Sequence, residues 1–325
     1  WHPSPNVRRS AADYPVLDDG SEMKPLMFSG VGGSTVLYGG QWMRFLPSDF
    51  RTRSLDGVGD DWPISYDDLA SYYDEADRAF GASGAAGDPA YPERPDYPMP
   101  PLPLGALGER IAASHMRLGW HWWPGSNAIA SRPYDGRRPC VQRGTCGHGC
   151  NEGAKGSTDV THWPKAEARG ARLVTGARVS RIELAADGTA RRAVFRRNGG
   201  PEEAIEARAI VLAANAIGTP RLLLASADGR HPDGLANGSG LVGKRLMMHP
   251  FGRVVGFFDE DLRSHQGHWG QAVYSMEFAE TDERRGFVRG AKWNLTQSGG
   301  PLQAALYPWS GRRWGADVHT HVSKW

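Results

Sequence analysis

Two amphipathic helices are the clearest elements in the pattern of apolar and polar positions. Between Ser65 and Gly81, apolar residues recur every three or four positions, and Ser65 with Asp68 has the spacing of a capping box at a helix N-terminus. A second helical stripe of apolar residues covers 107–118. The segment 81–103 between the stripes is rich in proline, which forbids regular helix, so we predict an extended loop across a surface.

Beyond residue 171 the pattern changes to the alternation that is typical of β-strands. An Asp-Gly pair at 187–188 and an Asn-Gly pair at 198–199 are hairpin signals, so we predict a three-stranded antiparallel meander over 178–208. Further strands of a larger antiparallel sheet are predicted over 253–258, 271–278 and 286–295.

A strand and a helix are predicted directly after the meander. The run 209–214 is unbroken apolar chain, as expected for a parallel strand that is covered on both faces. Thr219 then predicts the N-cap of a helix whose first residue is Pro220. A buried strand that leads into a helix N-terminus is the arrangement of a dinucleotide-binding sheet.

The composition excludes several classes of function. The chain has 325 residues, enough for two modest domains or one large one, and its formal net charge is only +2. Because the arginines are scattered, we expect no nucleic-acid partner. No apolar run is long enough to span a bilayer, so we expect a soluble protein with a small-molecule partner. The low cysteine count favours the cytoplasm.

The richest chemical signal is the segment 30–40, which has five glycines in eleven residues. Glycine adopts positive φ without steric cost and lets bare N–H groups approach a ligand closely. The bulky residues that follow, 41–45, indicate a segment that packs rather than a flexible linker. We therefore predict a cofactor-contacting loop.

The three cysteines form a second cluster, Cys140, Cys146 and Cys150. Three alternatives are open: an iron-sulfur cluster on the three thiolates, zinc with His148 as a strained fourth ligand, or structural thiols with at most one disulfide. His319 and His321 would share one strand face and form a weak metal site. The twelve tryptophans suit stacking on sugars but suit ordinary packing better.

Several motifs resemble, in their order and spacing, those of the glucose-methanol-choline (GMC) oxidoreductases, which are flavoenzymes. The motifs cover most of residues 28–250. They are the glycine loop with Arg44, Pro47, Asp49 and Phe50, the segments 61–66 and 153–157, the run 209–223, and 234–250 with His249 and Pro250.

The resemblance implies an α/β plus α+β fold, with a partial Rossmann-like FAD/NAD(P)-binding domain and a substrate domain built on an antiparallel sheet. We expect the FAD-binding domain over 1–60 and 150–250, a helical and proline-rich insertion over 61–149, and the start of the substrate domain over 251–325. The family's first Gly-x-Gly-x-x-Gly turn and its C-terminal catalytic segment are not found, so the chain looks like an internal portion of a longer enzyme.

The resemblance also implies FAD as cofactor. Some relatives attach it through a His where this chain has Leu37, so we predict non-covalent FAD. The catalytic residue is unknown and expected C-terminal to this chain, with His249 as a weak candidate near the flavin. The expected cofactor-binding residues are Gly30, Gly32, Gly33, Ser34, Thr35, Gly39, Gly40, Val179, Ala213 and Ala214.

The expected reaction is oxidation of a CH–OH group of a sugar or glycoside to a ketone by hydride transfer to the flavin. One alternative is a GMC-type sugar dehydrogenase, in which a similar cysteine spacing holds an iron-sulfur cluster that passes electrons to a cytochrome. Another is a non-catalytic fragment that binds metal and carbohydrate. A homo-oligomer and an electron-acceptor protein are left open as partners.

Overall fold

The computed structural model describes residues 19–22, 28–256, 258–297 and 316. The predicted metal pair His319 and His321 lies outside these residues. Contacts divide the chain into two compact units, residues 1–170 with 258–325 and residues 171–257. They are defined by contacts alone, so the expected assignment of segments to FAD and substrate binding stays a prediction.

The α-helices in chain order are α1 (Thr52–Asp56), α2 (Tyr66–Phe80), α3 (Gly105–Leu118), α4 (Thr158–Thr161), α5 (Trp163–Ala168) and α6 (Asn215–Ala225). The strands are β1 (Trp123–Pro124), β2 (Ala177–Leu184), β3 (Ala190–Arg197), β4 (Glu202–Glu206), β5 (Val273–Ser275) and β6 (Trp293–Leu295). Short 3-10 helices occupy Gly33–Val36, Pro47–Phe50, Cys146–His148 and Glu283–Arg285.

Both predicted helices of the first unit are confirmed. The capping box closes as expected, because Ser65 N donates to Asp68 Oδ2 at 2.8 Å and Asp68 N donates to Ser65 Oγ at 3.3 Å. Gly81 ends α2 with φ +62°, and Gly119 ends α3 with φ +67°. Left-handed backbone at these two positions is the ordinary glycine stop signal.

The proline-rich segment 81–103 has no regular helix, as predicted, but part of it is buried. Ser83 and Met99 are 0% and 1% exposed. Ser83 N and Asn127 N each donate to the other residue's carbonyl oxygen at 2.8 Å, so the segment is paired into the interior. This pairing satisfies backbone N–H and C=O groups that would hydrogen-bond to water in a surface loop.

An antiparallel sheet in the order β1-β5-β6 lies in the first unit. Val273 and Tyr274 of its central strand are 0% and 5% exposed. The predicted strands at 271–278 and 286–295 are confirmed, but each is only three residues long. The partner strand β1 was not predicted, because its two residues carry no periodic pattern.

The second unit contains the predicted meander. Strands β2, β3 and β4 pair antiparallel in sequence order, and Asn198 and Gly199 adopt φ +51° and +76° in the second turn. Helix α6 is joined to the sheet through Ser226, whose Oγ accepts from Ile182 N at 2.8 Å. Ile182, Leu222 and Leu235 form the buried core of this unit.

Three predictions for the second unit are wrong. Residues 209–214 form no strand, and Val211 is 88% exposed, because no described strand supplies the hydrogen-bond partners that a central strand needs. Helix α6 starts at Asn215, so Pro220 lies inside the helix. Asn215 Oδ1 accepts from Ile217 N and Gly218 N, which caps the helix earlier. The run 253–258 shows no strand in its described residues.

Candidate functional site

The first half of the glycine loop packs on the start of α4. Gly32 and Gly33 adopt φ +89° and +54° and lead into the 3-10 turn. Thr158 Oγ1 donates to Gly32 O at 3.0 Å, and Thr158 N donates to Thr35 Oγ1 at 3.1 Å. A Cβ on Gly32 would lie 2.8 Å from Asp159 Oδ1, so no side chain fits there.

The second half of the loop contains two backbone donors that have no acceptor among the described residues. Gly40 adopts φ +91°, and a Cβ on it would lie 2.8 Å from the Ile129 side chain. A Cβ on Gly39 would lie 2.7 Å from Trp269 O. Within the described residues, the N–H groups of Gly39 and Gly40 donate to no acceptor. Two adjacent free N–H groups on close-packed glycines fit an oxygen acceptor such as a flavin carbonyl or a phosphate.

Lys155 lies directly beneath this loop and is 1% exposed. Its Nζ donates to Val36 O at 2.7 Å, to Tyr38 O at 2.8 Å and to Cys146 O at 2.6 Å. Three acceptors match the three donors of an ammonium group. Burial lowers the pKa of Lys155 from 10.5 to about 8. The ammonium therefore connects the glycine loop to the cysteine segment.

The cysteine segment holds three free thiols. They pack with Ile129, Ala154 and Trp269 in a buried cluster, and Cys146 Sγ accepts from Trp269 N at 3.4 Å. Burial raises the pKa of Cys140 to about 11 and also raises that of Cys146, so both are neutral thiols at pH 7.

Both metal alternatives stay predictions. In the described part of the chain, no three His, Cys, Asp or Glu side chains converge as a metal ligand set. The His148 ring instead stacks on Trp269, with centroids 5.8 Å apart and planes 8° apart. The arrangement fits the alternative of reduced structural thiols, without the disulfide.

The remaining expected site residues lie in the second unit. Val179 on β2 packs against that unit's core. Ala213 and Ala214 are exposed just before α6, and His249 is exposed with its ring 6.1 Å from Phe251. Their roles toward FAD stay predictions.

A buried carboxylate that the sequence did not single out anchors the residues after the glycine loop. Asp77 on α2 is 3% exposed and accepts from Trp42 Nε1 at 2.7 Å, from Arg44 Nη2 at 2.5 Å and from Arg94 Nη2 at 2.6 Å. Salt bridges from both arginines neutralise it. Its position on the apolar face of α2 was the available signal.

A small pocket near Asp77 is lined by Asp88 and Tyr274, among other residues. Asp88 accepts from Ala90 N at 2.9 Å, from His121 Nε2 at 2.8 Å and from Tyr274 OH. His121 Nδ1 accepts from Met276 N at 3.0 Å, which places the ring proton on Nε2. Asp88, His121 and Tyr274 therefore satisfy one another as donors and acceptors.

None of the described helices combines the length and apolar character that crossing a bilayer requires.

Comparison with known proteins agrees with the resemblance in the sequence. A family model described as GMC oxidoreductase matches residues 20–251. The chain is 43% identical to 2-methyl-1,2-propanediol dehydrogenase of Mycolicibacterium austroafricanum over 94% of this chain and 56% of the relative. It is 36% identical to the fructose dehydrogenase large subunit of Gluconobacter japonicus, covering 71% of this chain and 43% of the relative. It is 34% identical to paromamine 6'-oxidase of Streptomyces fradiae, covering 79% and 49%.

The chain spans about half the length of these curated relatives. The family model includes the glycine loop, the cysteine segment and Lys155. Because that match covers most of the chain and the motifs occur in the expected order, the chain belongs to the GMC oxidoreductase family.

Proposed function

We propose that this protein is an FAD-dependent oxidoreductase that oxidises a CH–OH group of a sugar or glycoside to a ketone. The observation that carries the proposal is the pair of N–H groups at Gly39 and Gly40, which have no acceptor among the described residues and belong to two positions where an added side chain would clash. When bound, FAD supplies the hydride acceptor. The chain's own contribution is to present backbone donors at a fixed position and to exclude water with Ile129 and Trp269.

The relatives support an alcohol substrate. Their names describe a 2-methyl-1,2-propanediol dehydrogenase, a fructose dehydrogenase large subunit and a paromamine 6'-oxidase, and the compound in each name carries hydroxyl groups. The sugar or glycoside is the substrate class that we propose for this chain. Non-covalent attachment of FAD is part of the same proposal, because Leu37 provides no nucleophile where some relatives have a His.

The first test is FAD binding by a Gly40→Ala variant, measured by flavin fluorescence. The new methyl group would meet Ile129 at 2.8 Å and would strain a backbone at φ +91°. We expect at least about a tenfold weaker affinity than in the wild type, which corresponds to about 1.4 kcal/mol.

Gly188→Ala is the matched control, because Gly188 has φ +88° and nothing within 4 Å of its added Cβ. It imposes the same backbone strain without the clash and should bind FAD as the wild type does. The proposal fails if the wild type binds no FAD, or if the two variants bind equally well.

The substrate class is tested by anaerobic reduction of the bound flavin. Sugars and glycosides should bleach the flavin, and simple monoalcohols should do so more slowly. Bleaching by no hydroxyl compound, with sugar binding retained, would favour the non-catalytic alternative.

The similarity to the fructose dehydrogenase large subunit favours a dehydrogenase as the second candidate. That candidate requires iron and acid-labile sulfide in the purified protein, and faster reoxidation by artificial acceptors than by oxygen. A protein without iron that reacts rapidly with oxygen would rule it out.

A further inference from the structure

Lys155 is the largest side chain that is fully buried in the described residues. It forms no ion pair with any described carboxylate, and its partners are three backbone carbonyl oxygens. Burying a cation without a directly paired carboxylate is costly, so the hydrogen bonds of this ammonium to its three acceptors must offset that cost.

Two of the three carbonyls belong to the glycine loop. Tyr38 O lies 2.8 Å from Lys155 Nζ. The same planar peptide unit carries the N–H of Gly39, which points opposite to the Tyr38 carbonyl in a trans peptide. Because no peptide bond of the described chain is cis, holding Tyr38 O toward Lys155 directs the Gly39 N–H away from the ammonium.

The ammonium also acts on the strength of that donor. A cation bound to a carbonyl oxygen draws electron density from the peptide and makes its N–H a better donor, as in other hydrogen-bonded chains. The Val36 carbonyl fixes a second point of the loop at 2.7 Å, and Cys146 O fixes the ammonium itself at 2.6 Å. The ammonium is thus held between two segments of the chain.

We propose that Lys155 is a positioning residue whose ammonium aims and polarises the Tyr38–Gly39 peptide, so that the Gly39 N–H meets an acceptor oxygen of the bound flavin. This inference rests on the proposed function, because it needs FAD at the glycine loop. Lys155 itself does not touch the cofactor. It acts through the peptide that it holds.

The test compares Lys155→Met with Lys165→Met in the full chain. Methionine keeps the length and apolar stem of the lysine and removes its charge and donors. Lys165 is 47% exposed and pairs with Asp135, so it controls for the loss of a lysine. We expect FAD affinity to fall at least about tenfold in Lys155→Met and to stay unchanged in Lys165→Met. A tenfold loss corresponds to about 1.4 kcal/mol, which is the size of one lost hydrogen bond.

The midpoint potential of the bound flavin separates positioning from general support of the fold. A weaker donor stabilises the electron-rich reduced flavin less, so the potential should become more negative in Lys155→Met and stay unchanged in Lys165→Met. If Lys155→Met does not fold, Lys155→Arg takes its place, because it keeps the charge but moves the donors. A displaced donor should again change the potential. Unchanged affinity and potential in the folded Lys155 variant would overturn the inference.

Hydrogen exchange without FAD distinguishes this inference from the proposed function. Leu37 N and Tyr38 N donate to Ser34 O at 3.0 and 3.1 Å, and both amides should exchange faster in Lys155→Met. If the wild type binds no FAD, the proposed function fails. In that case, faster exchange in Lys155→Met would still support the conclusion that Lys155 fixes the conformation of the loop. Unchanged exchange would overturn that conclusion too.

Discussion

His268 should make the first unit sensitive to acid. Its side chain is 1% exposed, and neither ring nitrogen has a hydrogen-bond partner among the described residues. Burial disfavours the imidazolium and lowers the pKa of His268 from 6.5 to about 4. The perturbation that tests this is His268→Leu, which keeps a side chain of similar volume and removes the titrating ring.

The sign follows from the two states of the chain. The folded-state pKa lies below the unfolded-state value, so the unfolded chain takes up the proton first as the pH falls. The stability is full above pH 6.5 and is lost progressively between 6.5 and about 4. At 1.36 kcal/mol per pKa unit, the loss that His268 causes reaches about 3 kcal/mol near pH 4.

The assay is urea denaturation between pH 4 and 8, followed by tryptophan fluorescence. All twelve tryptophans lie outside residues 171–257, so the signal reports on the unit that contains His268. Carboxylates titrate in both proteins, so the difference between the two unfolding free energies isolates the histidine. That difference should grow in favour of His268→Leu by about 3 kcal/mol from pH 7 to pH 4.

The control is His265→Leu, because His265 lies three residues away and is only half-buried. Its stability curve should follow the wild type. Parallel curves of unfolding free energy against pH for the wild type and His268→Leu would refute the reasoning. They would mean that protonation of the buried ring does not destabilise the folded state.

Two further predictions concern stability. Asp77→Ala leaves the buried Arg44 and Arg94 without their shared carboxylate. It should lower the free energy of unfolding by about 3 to 5 kcal/mol, measured by chemical denaturation. Glu75→Ala, at an exposed position of the same helix, is the control and should change the free energy of unfolding by less than about 0.5 kcal/mol. Gly199→Ala forces a side chain into φ +76° and should weaken the β3–β4 pairing by about 1 to 2 kcal/mol, measured by hydrogen exchange. Gly229→Ala, where the added Cβ meets nothing within 4 Å, should leave that exchange unchanged, and equal exchange in both variants would contradict the prediction.

Elements with strong local signals were predicted well. Ser65 and Gly81 mark the start and end of α2 by their own capping chemistry, and the turn at 198–199 forms because Asn and Gly accept positive φ. The run 209–214 was predicted wrongly, because apolar composition indicates burial but does not supply the neighbouring strands.

The candidate site divides in the same way. The five glycines at 30–40 indicated a segment whose backbone can approach a ligand closely. This was predictable, because the positions without side chains can be read directly from the sequence. The role of Lys155 was not predictable, since its three acceptors come from residues 9 to 119 positions away. Likewise Asp77 and Asp88 look like ordinary acidic residues until their buried donors are located.

By itself the sequence determined the family, the two capped helices, the meander and the glycine loop, because these depend on backbone conformations that individual residue types favour or forbid. Only the tertiary structure decided what surrounds the loop. It placed the Lys155 ammonium against the Tyr38–Gly39 peptide and packed Trp269 on the cysteine segment. It also left the Gly39 and Gly40 N–H groups without an acceptor among the described residues. Such contacts join residues that are far apart in the sequence. Which groups become buried, and which donors and acceptors pair, is determined only when the folded chain brings these residues together.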